Sequence, residues 1–248
     1  MVTYSPPSVV YKVTDLAELR FFKTPEHDCS YLPQKKAVTL FLDPELSVDT
    51  ETYSSLSYSG FRRSGSHIYR PFCQSCQACI SARVPSSKFK PKRRHLRAIK
   101  RNTDLSVSTA KPKYTAEYFD LYKRYINERH RYGDMYPANI EQFKSFLVDG
   151  RREGAFYEFR DNHNKLISVA VADRLTDGLS AIYTFFDPDA KTRSLGMFAI
   201  LWLIEKAQRE QLSHVYLGYW IKDSQKMEYK INYKPLELYV NGKWITVA

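Results

Sequence analysis

The sequence predicts a mixed α+β protein with a smaller, cysteine-containing N-terminal half (residues 1–110) and a C-terminal half (residues 111–248). Three observations support this fold class. The C-terminal half carries long segments of helical and strand periodicity in an orderly succession. The N-terminal half has shorter strand-like segments around closely spaced cysteines. Between the two, Lys111-Pro112-Lys113 has the composition of a connection.

The N-terminal half is predicted to contain short strands and two helices. A short helix is expected at residues 49–57, with Gly60 near its end. A second, strongly basic helix is expected at residues 91–101, because Pro91 stands at its start. The strands, rich in β-branched and other apolar residues, are expected at residues 37–42, 67–69, 78–84 and 105–109.

The C-terminal half has clearer periodicity. Thr115 can cap a helix in which aromatic residues recur at i, i+3 and i+4, and a second helix is expected at residues 139–148. Polar turns between the next three strands indicate an antiparallel meander. The meander, an apolar helix and a last strand are expected at residues 155–160, 166–175, 179–186, 194–211 and 214–219. This order suits an α/β acyltransferase of the Gcn5-related N-acetyltransferase type.

The positive charge of the chain is high and unevenly distributed. The formal net charge is +11 at pH 7, and residues 83–101 contain nine Lys or Arg and no acid. Such a dense run is best stabilised by a polyanion, so we expect contacts with a phosphate backbone rather than with bases. A solvated basic face is the alternative. The residues expected to bind are Lys92, Arg93, Arg94, Arg97 and Arg101.

The sequence shows no sign of a secretion signal or a membrane span. Residues 1–20 contain no long apolar run, and the most apolar segment, residues 195–204, is shorter than a span. We therefore expect a cytoplasmic protein with no membrane partner. In that compartment cysteines are reduced, and metal binding is more common than disulfide formation.

Three of the four cysteines form a C-x2-C-x2-C motif at Cys73, Cys76 and Cys79, and the fourth is Cys29. The motif resembles the first three ligands of a ferredoxin-type run and contains the C-x2-C pair of many zinc sites. We expect Cys29 to complete a site for a structural zinc ion or a [4Fe-4S] cluster, with His27 and His67 as the alternative fourth ligands. The alternatives are unmetallated thiols or a nucleophilic cysteine, for which no local base is evident.

A loop before the long apolar helix is a candidate anion site. In acetyltransferases of the expected fold, an R/Q-x-x-G-x-G/A loop holds the pyrophosphate of coenzyme A on backbone amides and a helix N-terminus. Arg193, Ser194 and Gly196 fit this pattern, but Phe198 occupies the last small position and would crowd a pyrophosphate. We expect this loop to hold a single phosphate of RNA instead. An ordinary helix start is the alternative.

Several longer motifs, in fixed order across nearly the whole chain, resemble those of one family. They include Cys29-Ser30-Tyr31-Leu32-Pro33, Gly60-Phe61-Arg62-Arg63-Ser64-Gly65, Tyr69-Arg70-Pro71 with the cysteine motif, Tyr183-Thr184-Phe185-Phe186-Asp187-Pro188, Tyr216-Leu217-Gly218-Tyr219-Trp220-Ile221 and Lys226-Met227-x-Tyr229-Lys230. With them, the chain resembles the bacterial aminoacyl-tRNA–protein transferases that are related to the eukaryotic arginyl-tRNA–protein transferases.

This resemblance implies an acetyltransferase-like catalytic half and a role in the N-degron pathway, where proteins are tagged for degradation. It implies transfer of leucine from Leu-tRNA to proteins that begin with Asp or Glu. Arginine as the donor, a coenzyme A-dependent N-acetyltransferase and a non-catalytic, metal-containing RNA-binding module are the alternatives.

The implied chemistry needs no cofactor, because the aminoacyl ester is already activated and an α-amine with a pKa of about 7.7–8.0 is partly neutral near pH 7. Positioning and stabilisation of the oxyanion matter more. Asp173 and Tyr183 are the candidates for orienting the amine or passing a proton, with core packing as the alternative for Tyr183. Tyr219 and Trp220 are candidates for stacking on the terminal adenosine, with burial as their alternative.

An acidic acceptor requires a cationic pocket, for which Arg62, Arg63, Lys226 and Lys230 are the candidates. A bidentate arginine binds a carboxylate best. Arg62 and Arg63 are adjacent, so on an extended segment they point to opposite sides and only one of them enters a given pocket. The alternatives for each candidate are RNA phosphate or a structural ion pair.

Overall fold

Strands from both halves of the chain join one large sheet in the computed structural model, which describes residues 10–11, 16–131, 133–151 and 153–247. The strands of these residues are β1 (Val10–Tyr11), β2 (Phe21–Lys23), β3 (His27–Asp28), β4 (Lys36–Ala37), β5 (Thr39–Leu42), β6 (Ser47–Val48), β7 (Arg62–Ser64), β8 (His67–Pro71), β9 (Ile80–Pro85), β10 (Ser106–Ala110), β11 (Gly154–Arg160), β12 (Leu166–Arg174), β13 (Gly178–Phe186), β14 (His214–Trp220), β15 (Leu236–Val240) and β16 (Lys243–Val247). The helices are α1 (Thr50–Tyr58), α2 (Arg93–Lys100), α3 (Ala116–Arg129), α4 (Ile140–Phe143) and α5 (Leu195–Arg209).

Several helices begin where the sequence predicts. The Thr115 side chain accepts a hydrogen bond from the amide of Tyr118 and caps α3, and Asp49 caps α1 in the same way at Thr52. The basic helix α2 is also confirmed. The predicted helix at residues 139–148 begins as α4 and continues as a π-helical turn, Lys144–Val148.

The large sheet has eight strands in the order β10-β11-β12-β13-β14-β9-β15-β16. From β10 to β13 neighbouring strands are antiparallel, which confirms the predicted meander, and β14 then joins β13 in parallel after the crossover through α5. The acetyltransferase-like fold expected from the order of elements is therefore present.

Helices cover both faces of this sheet because strand residues alternate between them. Phe156 and Val171 point to the side of α3 and α4, whereas Tyr157 and Ala172 point to the side of α5 and α2. The two faces form separate hydrophobic cores. The basic helix α2 and the helix α3 therefore lie on opposite faces.

A smaller four-stranded sheet, in the order β2-β5-β8-β7, lies beside the large one. It packs with α1 around Tyr53, Leu56 and Phe61. The same core contains Leu175 and Tyr216 from the C-terminal half, so the small sheet and the large sheet share buried side chains.

Hydrogen bonding continues across the predicted boundary between residues 110 and 111. The strands β9 and β10 precede that boundary, yet β10 pairs with β11, and β9 pairs with both β14 and β15. The boundary stays a prediction, while the sheet itself is common to both halves. In the parts of the chain that the structure covers, no helix has both the length and the apolar character needed to cross a membrane.

Candidate active site

A cleft of about 1000 Å³ opens where β13 and β14 separate. The two strands pair in parallel only over three residues, Gly178 to Ser180, opposite His214 to Tyr216. Beyond this point β14 bends at Gly218, which has a φ of +80° and a shifted register with β9. A side chain at residue 218 would be strained and would lie 3.4 Å from the Nε of Arg62. The backbone itself therefore keeps the two strands apart.

Five parts of the chain form the walls of the cleft. The floor is made by β13 and β14, and one wall by the first turns of α5, including Gly196 and Met197. The hairpin of β7 and β8, the segment after α3 and the 3₁₀ turn Glu228–Asn232 close the other sides. Residues far apart in sequence thus face one space, which suits a reaction between two substrates.

Arg62 lies in the split between the strands. Its Nη1 donates to Ser180 Oγ over 2.9 Å, and its Nη2 donates to the carbonyl oxygen of Ala181 over 2.5 Å. The residue is 7% exposed and has no carboxylate partner among the described residues. A buried guanidinium without a counter-ion is unfavourable, so this position is suited to an incoming anion.

Arg63 and Asp173 form a bidentate ion pair in which both side chains are fully buried. Nε of Arg63 donates to Oδ2 over 2.5 Å and Nη2 donates to Oδ1 over 2.6 Å. The hydroxyl of Tyr53 donates to the same carboxylate over 2.7 Å. Arg62 reaches β13 and Arg63 reaches β12, so their side chains do point to different places. Both residues nevertheless line the cleft, contrary to the expectation that only one of them enters a given pocket.

This pair corrects two of the predicted roles. The Asp173 carboxylate accepts three hydrogen bonds and does not line the cleft, so it is not placed to orient an amine. The guanidinium of Arg63 is neutralised by Asp173 and also donates to the carbonyl oxygen of Gly65 over 3.1 Å. The structural ion pair, which was the alternative for Arg63, is what the structure contains.

Lys230 is a further buried basic residue of the cleft, at 3% exposure. Its Nζ lies 3.3 Å from Met227 Sδ and 4.8 Å from the ring centre of Tyr229. No carboxylate pairs with it among the residues that the structure describes. Burial, and then the charge of Arg62, lower the pKa of Lys230 to about 7. Lys226 also lines the cleft but is exposed at its rim.

Tyr183 lines the cleft and packs between Tyr125 and Phe146, at ring distances of 6.2 and 5.3 Å. Burial raises the pKa of Tyr183 well above its ordinary value, so its hydroxyl stays protonated. That hydroxyl has no hydrogen-bond partner among the described residues. The ring packing considered from the sequence is therefore present, while the role of the hydroxyl toward the amine or a proton stays a prediction.

His130 is a residue of the cleft that sequence reasoning missed. It follows the last turn of α3, where nothing in the local pattern distinguishes it from a loop residue. Burial, and then the charges of Lys226 and Arg129, lower the pKa of His130 below its usual range. Its imidazole is therefore neutral near pH 7.

The basic helix α2 lies directly beside the cleft. Its exposed side includes Arg93, Arg97 and Lys100, for which no acidic partner occurs among the described residues. On its buried side, His95 stacks on Tyr233, which lines the cleft, at 5.4 Å and an interplanar angle of 6°. The exposed Lys92 and the half-buried Arg94 are at its start. The helix is thus connected to the wall of the cleft through the contact of His95 with Tyr233.

The turn before α5 is tied to the end of α2. Nη1 of Arg101 donates to the carbonyl oxygen of Thr192 over 2.8 Å. Arg193 donates to Asn102 Oδ1 over 3.0 Å and forms an ion pair with Asp104. The Arg193 guanidinium is thus occupied and does not line the cleft. Ser194, in a left-handed conformation, immediately precedes α5, and Gly196 in the first turn of the helix lines the cleft.

Two other predicted positions are buried instead. Arg83 was counted in the basic run, but its Nε donates to Glu237 Oε2 over 2.7 Å and its guanidinium lies 4.2 Å from the ring centre of Trp244. Tyr219 donates from its hydroxyl to the carbonyl oxygen of Gly60 over 3.0 Å and is 4% exposed. Burial, rather than stacking on a base, accounts for Tyr219.

The four cysteines line one separate pocket of about 600 Å³. Burial, with the neighbouring Cys29, Cys73 and Cys76, raises the pKa of the Cys79 thiol to about 12. Cys29 therefore lies in the same pocket as the motif, and its role as a metal ligand stays a prediction. Four thiols are a suitable donor set for zinc or an iron–sulfur cluster. Across the described ranges, however, no three cysteine, histidine or acidic side chains are arranged closely enough to hold a metal ion.

Two solved structures resemble this fold at low sequence identity. FemX is similar over 85% of this chain and 82% of its own, with 8% identity and a TM-score of 0.47. The C-terminal domain of a putative lysylphosphatidylglycerol synthetase from Agrobacterium fabrum is similar over 75% of this chain and 55% of its own, with 12% identity and a TM-score of 0.45.

Sequence comparison identifies the family. Residues 27–97 match the family model of the arginine-tRNA-protein transferase N terminus, and residues 117–240 match that of its C terminus. The chain is 54% identical, over 95% of its length, to the whole of the aspartate/glutamate leucyltransferases of Pseudomonas fluorescens (strain SBW25) and Pseudomonas syringae pv. tomato. It is 53% identical, over the same shares, to that of Pseudomonas aeruginosa (strain LESB58). The chain therefore belongs to the arginine-tRNA-protein transferase family, as its motifs indicate.

Proposed function

We propose that this protein transfers leucine from Leu-tRNA to the α-amino group of proteins that begin with Asp or Glu. The observation that carries the proposal is Arg62, a buried cation in the cleft with no counter-ion among the described residues. An acidic first residue supplies the missing carboxylate. The 54% identity to proteins named aspartate/glutamate leucyltransferase supports the same donor and acceptors.

The acceptor meets basic side chains both at the rim of the cleft and deep inside it. Arg62 binds the side-chain carboxylate at depth, and the exposed Lys226 guides the acidic terminus at the rim. Lys230 is close enough to Arg62 for their charges to interact, so it faces the same head group. Arg63 acts indirectly, because its pair with Asp173 holds the β7 strand, and therefore Arg62, against β12.

The donor approaches along α2. We assign its phosphate contacts to Lys92, Arg93, Arg94, Arg97 and Arg101, which lie on or beside this helix. The first amides of α5, at Ser194 and Gly196, suit the last phosphate group before the aminoacyl ester. Arg193 contributes by holding this turn against α2. The ester then lies over the split between β13 and β14.

In the reaction, the acceptor nitrogen attacks the ester carbonyl carbon and the bond to the ribose oxygen breaks. Negative charge develops on the carbonyl oxygen, and a fixed hydrogen-bond donor in a partly dry site stabilises it. The protonated hydroxyl of Tyr183 is the donor that we assign to this oxygen. No step requires a cofactor, because the ester already carries the activation.

The product is a protein with leucine at its N-terminus. We place this reaction in the cytoplasm, where aminoacyl-tRNA is made and used. The resemblance on which the proposal builds implies that the added leucine marks the protein for degradation in the N-degron pathway.

For the four cysteines we propose a structural zinc ion or [4Fe-4S] cluster in the pocket that they share. The support is their common pocket and the effect of the other three thiols on Cys79. Protein purified without oxygen should contain about one zinc per chain, or four irons with visible absorbance, and Cys76→Ser should abolish this binding. If protein purified without oxygen were metal-free and fully active, this would contradict the proposal.

Single-turnover transfer tests the main proposal. Purified protein is offered Leu-tRNA, Arg-tRNA or acetyl-CoA with peptides that begin with Asp, Glu, Asn or Ala. We expect leucine on the Asp and Glu peptides alone. Transfer of arginine alone would show that Arg-tRNA, not Leu-tRNA, is the donor. Acetylation of the peptides would favour the coenzyme A-dependent acetyltransferase. No transfer from any donor would overturn the enzymatic function.

The Arg62→Met variant tests how the acceptor is bound. Loss of a charge-assisted contact should raise the acceptor KM by about 10- to 100-fold, and should remove the preference for Asp over Asn. Binding of Leu-tRNA should not change. Arg209→Met is the matched control, because Arg209 is exposed on α5 and does not line the cleft. An unchanged preference for Asp in Arg62→Met would exclude Arg62 as the carboxylate-binding group.

A further inference from the structure

We infer that Lys230 is the proton acceptor of the transfer reaction, taking the proton that the acceptor's α-ammonium loses and passing it to the ribose oxygen that leaves. This role rests on the proposed leucyl transfer and gives Lys230 a task different from carboxylate binding. It also supplies the base that sequence reasoning left unidentified.

The position of the side chain favours this role. Lys230 reaches from the 3₁₀ turn Glu228–Asn232 into the cleft and is almost completely buried. Its nearest neighbours are soft or aromatic, namely Met227 Sδ at 3.3 Å and the Tyr229 ring at 4.8 Å. A lysine buried in this way normally pairs with a carboxylate. Because no such partner is present in the described part of the chain, the uncharged amine is the favoured form.

The charges around Lys230 also favour the uncharged form of its amine. Arg62 is the charged group that acts on it most directly, while Arg63 is neutralised by Asp173. Lys226 and His130 line the same cleft, and the exposed Asp134 and Asp149 form no ion pair with Lys230. With burial first and Arg62 second, the pKa of Lys230 falls to about 7. About half of the molecules therefore carry a free amine near neutral pH.

Two cations of the cleft thus have separate tasks. Arg62 cannot lose its proton, so it remains charged, binds the carboxylate and keeps Lys230 uncharged. Lys230 can exchange a proton at the pH at which the enzyme works. An Asp or Glu terminus brings one carboxylate and one ammonium, so its binding adds no net charge to the site.

The proton and electron balance closes without another reactant. The α-ammonium gives one proton to Nζ of Lys230, and the freed nitrogen lone pair forms the new bond to the ester carbonyl carbon. The second proton leaves the nitrogen when the amide forms. As the carbonyl–oxygen bond breaks, the protonated Nζ returns its proton to the ribose oxygen. The products are the leucyl-protein and tRNA with a free hydroxyl. Of the two protons that the ammonium loses, one ends on the ribose oxygen and the other is released to solvent.

The experiment measures single-turnover leucine transfer from pH 5.5 to 9.5, with Leu-tRNA saturating and an Asp peptide varied. The variants are Lys230→Arg and Lys230→Gln, with Lys222→Arg as the control, since Lys222 is exposed nearby and does not line the cleft. Wild type should show a rate that rises through pH 7 and then levels. Both Lys230 variants should lose about 100-fold or more in rate, with little change in the acceptor KM. Their remaining rate should rise with the ionisation of the acceptor amine at about pH 8.

The arginine variant separates proton transfer from binding, because it keeps the charge but cannot release its proton. A transfer rate of Lys230→Arg within threefold of that of wild type, with the same rise of the rate through pH 7, would overturn the inference. A raised acceptor KM with an unchanged rate would make Lys230 a binding residue instead. If His130→Gln removed the rise through pH 7 and Lys230→Arg did not, the base would be His130.

Failure of the two proposals can be distinguished. Wild type that transfers no leucine would contradict the proposed function, whereas wild type that transfers leucine with full activity in Lys230→Arg would contradict this inference alone. Circular dichroism and binding of Leu-tRNA by each variant establish that the fold is retained. Lys230→Gln serves as the second variant, because a neutral side chain fits this buried position at least as well as an ammonium group.

Discussion

At the scale of single residues, the partner of a charged group decides what it can do. Arg62 and Arg63 are adjacent on β7, yet one lacks a carboxylate partner in the described chain and the other is locked to Asp173. Lys230 has no carboxylate partner among the described residues and is almost completely buried. These three basic side chains thus differ in their partners, and this difference is the basis for proposing anion binding for Arg62 and proton transfer for Lys230.

Asp173→Asn is expected to destabilise the fold strongly. Breaking a buried ion pair while leaving one charge behind typically costs about 3–5 kcal/mol, and the Tyr53 hydroxyl loses a charged acceptor as well. For a chain of this size the melting temperature should fall by about 6–20 °C. Thermal unfolding followed by circular dichroism measures this. Asp223→Asn, at an exposed carboxylate, is the matched control, and a shift no larger than that of the control would contradict a structural role for the pair.

Lys230→Met is expected to stabilise the protein while it lowers the transfer rate by about 100-fold or more. In the unfolded chain the amine keeps its ordinary pKa of 10.5, whereas in the folded protein the pKa is about 7. The unfolded state therefore binds the proton more tightly, and the stability of wild type rises as the pH increases from about 7 to 10.5. Methionine removes this dependence. The gain should be on the order of 2 kcal/mol at pH 6, or about 4–8 °C in melting temperature, and smaller at pH 9. Urea unfolding of wild type and variant at pH 6 and pH 9 measures the gain in stability at each pH. A gain at pH 9 equal to or larger than that at pH 6 would contradict a lowered pKa of Lys230 in the folded protein.

At the scale of elements, the junction of α2 and α5 connects the charged surface with the cleft. One side of α2 is anchored by the His95–Tyr233 stack and by the Arg193–Asp104 pair at its end. The other side exposes arginine and lysine side chains. The helix is therefore fixed in orientation while its charges remain accessible to a large anionic ligand.

Replacing Arg93, Arg97 and Lys100 together by alanine should weaken the binding of Leu-tRNA by tenfold or more. The slope of log K against log salt should become shallower by about 2–3, because each lost phosphate contact removes a little less than one unit. The control replaces Lys111, Lys113 and Lys123, which lie before or on α3 and leave the same net charge. Equal losses in the two triple variants would indicate a nonspecific charge effect rather than a binding face.

At the scale of the whole molecule, β9 joins the halves of the chain. It lies between β14 and β15, although it precedes them by more than 100 residues, and the small sheet shares a buried core with Leu175 and Tyr216. The cysteine-containing region is therefore continuous with the catalytic region through both hydrogen bonds and packing.

This continuity predicts that neither half folds alone. Residues 111–248 lack β9 and β10, so β14, β15 and β11 would each expose an unpaired edge. The full chain should unfold in a single thermal transition, while residues 1–110 and 111–248 expressed separately should give no cooperative transition by calorimetry. A sharp transition of residues 111–248 on their own would show that the predicted boundary separates two independent domains.

The sequence predicted what depends on nearby residues and missed what depends on distant ones. The cap at Thr115, the antiparallel meander and the basic helix follow from local periodicity and were confirmed. The hairpin of β15 and β16 was missed, although its turn, Asn241 and Gly242, has positive φ at both residues and a sequence typical of tight hairpins.

Long-range pairing explains the remaining errors about the site. The partner of Asp173 lies 110 residues away, on a strand of the small sheet, and the packing of the small sheet beside the large one brings the two together. In the same way, Glu237 neutralises Arg83 across two strands that the chain order does not suggest as neighbours. The motifs identified the family and several residues of the cleft, such as Arg62, Tyr183 and Lys230, whereas the difference between Arg62 and Arg63 required the fold.

The arrangement of Arg62 and Lys230 has a consequence for competition inside the cell. Free aspartate and glutamate carry the same side-chain carboxylate and α-amine as an acidic protein terminus, so under the proposed roles of Arg62 and Lys230 they compete for the same two groups. Discrimination must then come from the second and later residues of the polypeptide, which free amino acids lack. The cleft, at about 1000 Å³, is large enough to contact them along Ile182, Phe186 and Met197.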